Sequence, residues 1–355
     1  MTNSWAGRAR QTGTPLIDGN LATFVWRGKK APQLMGDFNG WENGVPLDLT
    51  QVGEQTWIHS MELPLDTYME YAFVKEGKRF LDPLNERTTP NGVGKTNNYF
   101  YMSAGKKTPL ARRKPEVPHG KVEKITLKHD WYFTNGKRNA WLYQPPVDGP
   151  VPLVVVWDGA QYLERLRVNL QVDRLIAENR IRPFALALID SGGPLRMWEY
   201  NCADATLGSV LSLLIPEAQK RLNLIDLKLN PGTFGVMGAS MGGLMSLYAG
   251  LRCPEIFGKV LSQSGAYDFA GWKPVIWPLL EGLKKLPFQL FLDVGTYEWL
   301  LEPNRSLHDY LQNRKMSHGY HEFHGGHNSP AWRDDLGLGL EYLWGTKTST
   351  KTNKE

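Results

Sequence analysis

The stretch Thr233–Arg252 reads TFGVMGASMGGLMSLYAGLR, and its middle, Gly238-Ala239-Ser240-Met241-Gly242-Gly243, decides the fold. An apolar run precedes the serine and an apolar helical run follows it. A G-x-S-x-G between a strand and a helix is the nucleophile elbow, a turn too tight for side chains at its flanks. It lifts the serine hydroxyl out of the sheet. It also aims the positive end of the following helix at the place where an oxyanion forms. A glycine-rich strand-to-helix turn without chemistry would look similar, so partners for Ser240 must be sought elsewhere in the chain.

A serine nucleophile needs a base, and in this fold the base comes late, after an acid. The segment His321-Glu322-Phe323-His324-Gly325-Gly326-His327 lies near the end of the patterned sequence. His327 follows paired glycines and falls on a loop able to reach the elbow. His321 and His324 fall on the preceding strand, and His318 on a polar stretch. The acid is expected just past the strand Gln289–Val294. Glu298 stands on that loop, with Asp293 inside the strand and Glu302 further along as the other candidates. The oxyanion hole needs two backbone N–H groups. One is that of Met241, and the other is assigned to Ala160, after the strand Leu153–Trp157 and the turn Asp158-Gly159. Ser240, His327 and Glu298 would therefore act on a carboxylic ester, with Met241 and Ala160 holding the oxyanion. Removing Ser240 should cost ~10⁴-fold or more in rate.

Outward from the elbow, strands alternate with helices. Leu153–Trp157, Pro183–Asp190, Thr233–Met237, Lys259–Ser264 and Gln289–Val294 are short apolar runs that suit strands buried on both faces. Leu163–Asn179, Ala205–Leu222, Met241–Arg252 and Arg305–Arg314 carry helical patterns. Lys121–Leu127 and Arg138–Tyr143 read as an antiparallel pair. The fold class is α/β, with an α/β-hydrolase catalytic domain over 121–346. Before it, Leu21–Trp26, Trp57–Leu63 and Tyr68–Val74 alternate between turn residues, which predicts an all-β sandwich of the immunoglobulin-like (early-set) kind over 1–103. Its first 20 residues read as a loose lead-in. Gly36-Asp37-Phe38-Asn39-Gly40-Trp41 reads as a turn between strands. Residues 104–120 are rich in Lys, Arg and Pro and read as an exposed linker. Residues 347–355 read as a disordered tail.

Composition bounds the rest. Of 355 residues, 41% are hydrophobic and 22% charged, which suits a globular protein with room for two domains. The net charge of +5 can attract an anionic substrate, but the basic residues form no run of the nucleic-acid-binding kind. Cys202 and Cys253 show no metal-ligand spacing, and no metal or other cofactor is expected. No apolar run approaches membrane-spanning length and no signal sequence is evident, so the cytoplasm is the default location. The expected partner is a small-molecule ester, not nucleic acid or membrane. The oligomeric state is left open. The 13 Trp leave open either core packing or a stacking surface.

With these residues in hand, the catalytic half resembles the enterochelin (enterobactin) esterase branch of the esterase D family. The matching pieces are Val154–Ala160, Ile189–Asn201, Gly238–Gly243 with Leu247–Leu251, Leu261–Gly265, Arg305–Leu311 and Gly325-Gly326-His327. In the N-terminal half they are Phe24–Gly28 and Asp82-Pro83-Leu84-Asn85. The resemblance implies a sandwich domain over the pocket of a hydrolase that cleaves a catecholate siderophore, with Ser240, Glu298 and His327 as its triad. It places Arg196, Glu199, Asn201 and Trp157 among substrate-binding candidates. Arg196 would meet an anionic or catecholate group, or form a salt bridge with Glu199. The GDFNGW turn is closer to glycogen-binding sandwich modules, so two alternatives remain: a feruloyl or acetyl esterase, or a carbohydrate-binding protein on an inactive hydrolase fold.

Overall fold

The computed structural model describes residues 4–92, 94–268 and 271–346. The tail predicted over 347–355 lies outside them. By its contacts the chain divides into two units. One holds residues 1–107, 295–301 and 322–331, and the other 108–294, 302–321 and 332–355.

The first unit is built on two antiparallel sheets. Strands β1 (Leu16–Asp18), β2 (Leu21–Arg27), β3 (Gln33–Gly36), β4 (Thr50–Gly53), β5 (Thr56–Glu62), β6 (Tyr68–Lys75), β7 (Lys78–Phe80), β8 (Thr88–Pro90) and β9 (Thr96–Tyr101) follow in chain order. One sheet runs β1-β2-β5-β4; the other runs β3-β6-β9-β8 with β7 on β6. Alternation explains the pairing. Ala22 and Phe24 of β2 share a core with Met69, Tyr71 and Phe73 of β6 and Phe100 of β9. The Phe24 ring meets Tyr71 and Phe100 edge-on, with centroids 4.8 and 5.6 Å apart. Val25, on the opposite face, packs with Ala9 and Leu16. The loose lead-in expected for residues 1–20 is therefore corrected: Trp5–Thr12 is a helix. Ser4 caps it by accepting the Gly7 N–H at 3.2 Å. Its apolar contact to Val25 is a tertiary signal that a polar octapeptide does not announce. The Asp82–Asn85 stretch is a buried polar hub. Asp82 accepts from the Tyr71 hydroxyl at 2.8 Å and from Thr14.

The second unit carries an eight-stranded sheet. Its strands are β10 (Lys121–Lys128), β11 (Lys137–Gln144), β12 (Leu153–Trp157), β13 (Ala185–Ile189), β14 (Phe234–Ala239), β15 (Phe257–Gln263), β16 (Gln289–Gly295) and β17 (Gly319–Phe323). They stand in the order β10-β11-β13-β12-β14-β15-β16-β17. β10 and β11 form the expected antiparallel hairpin, and β13, β12, β14, β15 and β16 run parallel. The apolar runs behave as read: every residue of β12, β13 and β14 is buried. Helices Val168–Ala177, Met241–Arg252, Leu301–Asn313 and Ser329–Trp344 accompany the strands.

Two details depart from the sequence reading. The helix expected over Leu163–Asn179 breaks at Arg167, which takes a left-handed conformation with φ 54°. The basic stretch before β10 is anchored as well as exposed. Leu110 and Ala111 are buried in a short 3₁₀ turn, and the Thr108 N–H donates to Asp334 Oδ1 at 2.9 Å. Two apolar residues in a run of Lys, Arg and Pro suffice to pin it.

Candidate active site

β14 ends in the elbow. Ser240 sits at φ 61°, ψ −124°, a conformation that L-residues rarely adopt, and the helix Met241–Arg252 begins at the next residue. The glycines have a geometric cause. A Cβ on Gly238 would stand 2.7 Å from the carbonyl carbon of Gly242. The turn is locked from both sides of the serine: its N–H donates to Gln263 O at 2.8 Å, and its carbonyl accepts from Leu244 and Ala266 at 3.1 and 3.2 Å. Met241 is buried at the first turn of the helix.

The turn after β12 comes next. Asp158 takes the left-handed conformation at φ 55°. Its carboxylate is held by Arg196, with Nε donating to Oδ1 at 2.7 Å and Nη2 to Oδ2 at 2.6 Å. The same Nη2 donates to Ala239 O at 3.2 Å, one residue before the nucleophile. Arg196 therefore joins the turn after β12 to the end of β14. The salt bridge expected between Arg196 and Glu199 is not formed. Glu199 instead accepts from Arg138 at 2.6 Å and from the Gly192 N–H at 2.7 Å. Both side chains of the Ile189–Asn201 segment hold backbone in place.

Two more expectations are corrected here. The Ala160 N–H donates to Asp190 Oδ1 at 2.9 Å, so it is not a free oxyanion donor. A half-buried acceptor at the end of the neighbouring strand β13 cannot be read from the turn itself. Trp157 has 0% exposure and packs against Tyr200, with ring centroids 5.3 Å apart. It is core, not a substrate platform. Asn201 is half-buried, and its N–H points at Trp198 O at 3.4 Å.

The candidate acid and base belong to the first unit. His327 Nδ1 is hydrogen-bonded to Glu298 Oε2. The other oxygen of Glu298 accepts the Gly295 N–H at 2.6 Å, so both carboxylate oxygens are oriented. The Glu298 side chain is fully buried. The Trp299 ring lies 4.5 Å from the imidazole, centroid to centroid. The rival residues have other work. Asp293 is buried and accepts from Gln263 at 3.0 Å, and Glu302 pairs with Arg305 at 3.0 Å. His324 bonds Asp66 at 2.7 Å, His321 faces Asp335 at 3.2 Å, and His318 faces His308 at 2.8 Å. Among the described residues no cluster of His, Cys, Asp or Glu is arranged to hold a metal ion. None of their helices is long and apolar enough to cross a membrane.

A mainly parallel sheet whose central strand ends in a strained serine, with a helix starting at the next residue, is the framework of the α/β-hydrolases. The chain belongs to the putative esterase family, whose sequence profile matches residues 133–343, and it is a carboxylic ester hydrolase in the enterobactin-esterase-like branch of that family. It is 30% identical over 288 residues to the iron(III) enterobactin esterase of Escherichia coli O6:H1, an alignment covering 74% of this chain and 67% of that one. In fold it is similar to the crystal structure of ferric enterobactin esterase from Salmonella typhimurium, with a TM-score of 0.74 and 23% identity over 91% of this chain and 93% of that one. It is more distantly similar to a ferulic acid esterase of the anaerobic fungus Anaeromyces mucronatus. There the TM-score is 0.52 and the identity 18%, over 67% of this chain and 95% of that one.

Proposed function

We propose that this chain hydrolyses the ester bonds of an enterobactin-like catecholate siderophore through an acyl-enzyme on Ser240. The observation that carries the reading is the 30% identity over 288 residues to a protein named for that activity. His327 takes the hydroxyl proton of Ser240 as Oγ attacks the ester carbonyl carbon. The tetrahedral oxyanion is held by the N–H groups of Met241 and Gly159. Gly159 replaces Ala160 because its neighbours' amides are engaged, Asp158 with the Tyr200 hydroxyl and Ala160 with Asp190. When the intermediate collapses, the alcohol leaves with the proton from His327. Water then attacks the acyl-serine and gives its proton to His327. The carboxylic acid is released as that proton returns to Ser240. Glu298 keeps the proton on Nδ1 of His327 and stabilises the imidazolium. We assign Arg196, Glu199 and Trp157 to support of this framework, and leave Asn201 as the substrate contact of the segment.

We read the two-sheet unit as an immunoglobulin-like (early-set) domain that contributes to substrate recognition, and residues 121–346 as the catalytic domain. The free thiols of Cys202 and Cys253 fit a reducing compartment such as the cytoplasm. A second reading, an aryl ester of a sugar, draws on the likeness in fold to a ferulic acid esterase. The GDFNGW turn offers it little support. The indole N–H of Trp41 donates to Asp37 at 2.8 Å, and the Arg79 guanidinium covers its ring at 4.3 Å.

The test is a chromatographic time course on ferric enterobactin and methyl ferulate, with Ser240→Ala as control. Release of dihydroxybenzoyl-serine by the wild type alone is the expected result. Turnover of the ferulate ester only would move the substrate to aryl-carbohydrate esters. No turnover of either would sink both assignments.

A further inference from the structure

Asp37 sits in the turn Gly36–Trp41. Its surroundings give it a role. Asp37 is buried and lies directly against the loop that carries His327. Asn328 Nδ2 donates to Asp37 Oδ2 at 3.2 Å, from the residue after the histidine. On the other flank, a Cβ on Gly326 would fall 2.2 Å from the Asp37 carboxyl carbon, so only glycine lets the loop come this near. The carboxylate is held from its own side by two further donors. The Trp41 indole reaches Oδ1 at 2.8 Å and the Glu70 N–H reaches Oδ2 at 2.8 Å. Every donor named is fixed. Trp41 is pinned by Arg79, and Glu70 lies in β6.

We propose that Asp37 is a positioning residue for the general base: it tethers the His327 loop through Asn328 on one side of the histidine and packs against Gly326 on the other. The proposal rests on His327 acting as base. It explains why the GDFNGW turn carries an acid and a tryptophan at this spacing, which a bare turn does not need. Burial pushes the Asp37 carboxyl up to about 7, while its bonds from Glu70 and Trp41 and the charge of His327 work the other way. The titratable groups around it are Glu70 and Tyr68 from β6, and Glu298 and His327 from the two loops.

Two variants cut the tether from its two ends. Asp37→Asn keeps the size but sets an amide nitrogen against at least one of the three donors that the carboxyl oxygens accept from. Asn328→Ser keeps an oxygen to accept the Ala331 N–H, a bond now made at 3.0 Å, and removes the donor to Asp37. Each is assayed on p-nitrophenyl acetate from pH 5 to 9, with thermal unfolding alongside. For Asp37→Asn, kcat should fall about tenfold with KM nearly unchanged. For Asn328→Ser, kcat should fall several-fold with KM nearly unchanged. A folded Asp37→Asn protein with wild-type kcat would overturn the proposal. If Asp37→Asn does not fold, wild-type kcat in Asn328→Ser overturns it instead. Absence of turnover in the wild type would remove the esterase reading beneath it, a different result from either.

Discussion

Arg196 grips Asp158 through two parallel hydrogen bonds, of 2.7 and 2.6 Å, and this fork ties the turn after β12 to the strand that ends at the nucleophile. Planar, two-point recognition is what a guanidinium offers and an ammonium does not. Asp158 is buried, so Arg196→Ala leaves a carboxylate without its partner. The expected loss of stability is about 3 kcal/mol, with a fall in kcat of up to about 100-fold because both ends of the fork lose their register. Arg196→Lys should recover little of either. Urea unfolding and steady-state kinetics on any turned-over ester check both numbers. Unchanged kcat in Arg196→Ala would mean that the fork is ornamental.

The strain at Ser240 gives a second prediction. At φ 61°, ψ −124° the serine occupies a region where glycine is far more comfortable. Ser240→Gly should therefore be inactive yet more stable than wild type by about 1 kcal/mol, the strain relieved less the entropy that glycine adds to the unfolded chain. Ser240→Ala should be equally inactive with an unchanged melting temperature, since alanine keeps the strain. Differential scanning calorimetry on the pair decides. Equal melting temperatures for the two variants would show that the turn stores no such strain.

Glu298 offers its two oxygens to two different donors, the imidazole of His327 and the backbone of Gly295. Glu298→Gln can satisfy only one of them, since its amide nitrogen is a donor. Either the glycine amide is opposed or the histidine is turned to the wrong tautomer. By analogy with triads in which the acid is made an amide, kcat should fall on the order of 10⁴-fold. Stopped assays with a chromogenic ester are sensitive enough to see it. A loss of tenfold or less would point to a different orienting group.

How much of this was legible follows from the range of the interactions. The elbow could be read because its cause is local: Gly238 and Gly242 cross within five residues. The buried strands could be read because all their residues face core. Glu298 and His327 could be ranked by chain order and loop position, without any knowledge of their contact. What escaped depends on contacts distant in sequence. Ala160 loses its N–H to Asp190, Arg196 chooses Asp158 over nearby Glu199, and the Trp5–Thr12 helix forms against Val25. Asp37 was invisible for the same reason. It lies 291 positions from Asn328.

Trp157 shows the same lesson in reverse. A tryptophan at the mouth of a conspicuous turn invites a stacking role, yet it is wholly buried against Tyr200. Its indole N–H finds no hydrogen-bond partner among the described residues. Trp157→Phe therefore costs packing but no hydrogen bond. The expected loss is about 1–2 kcal/mol of stability, with KM unchanged within twofold. Measured KM on ferric enterobactin tests this directly. A several-fold rise in KM at wild-type stability would return Trp157 to the substrate site.

The carboxyl of Asp37 links the stability of the first unit to pH. Burial raises it to about 7, whereas in the unfolded chain it ionises near 4. Between these values the folded protein holds a proton that the unfolded chain has released. Raising the pH across this window therefore favours unfolding. The contribution is complete below about pH 4 and is lost progressively as pH rises through about 7. At about 1.4 kcal/mol for each unit of displacement, the loss amounts to a few kcal/mol. Asp37→Asn has no proton to release, so its unfolding free energy should decline less than that of the wild type between pH 5 and pH 8. Guanidinium titrations at the two pH values give the difference of differences, in which the other titrating groups largely cancel. An equal decline in both proteins would show that the carboxyl ionises in the folded state as it does in water, and that its burial carries no penalty.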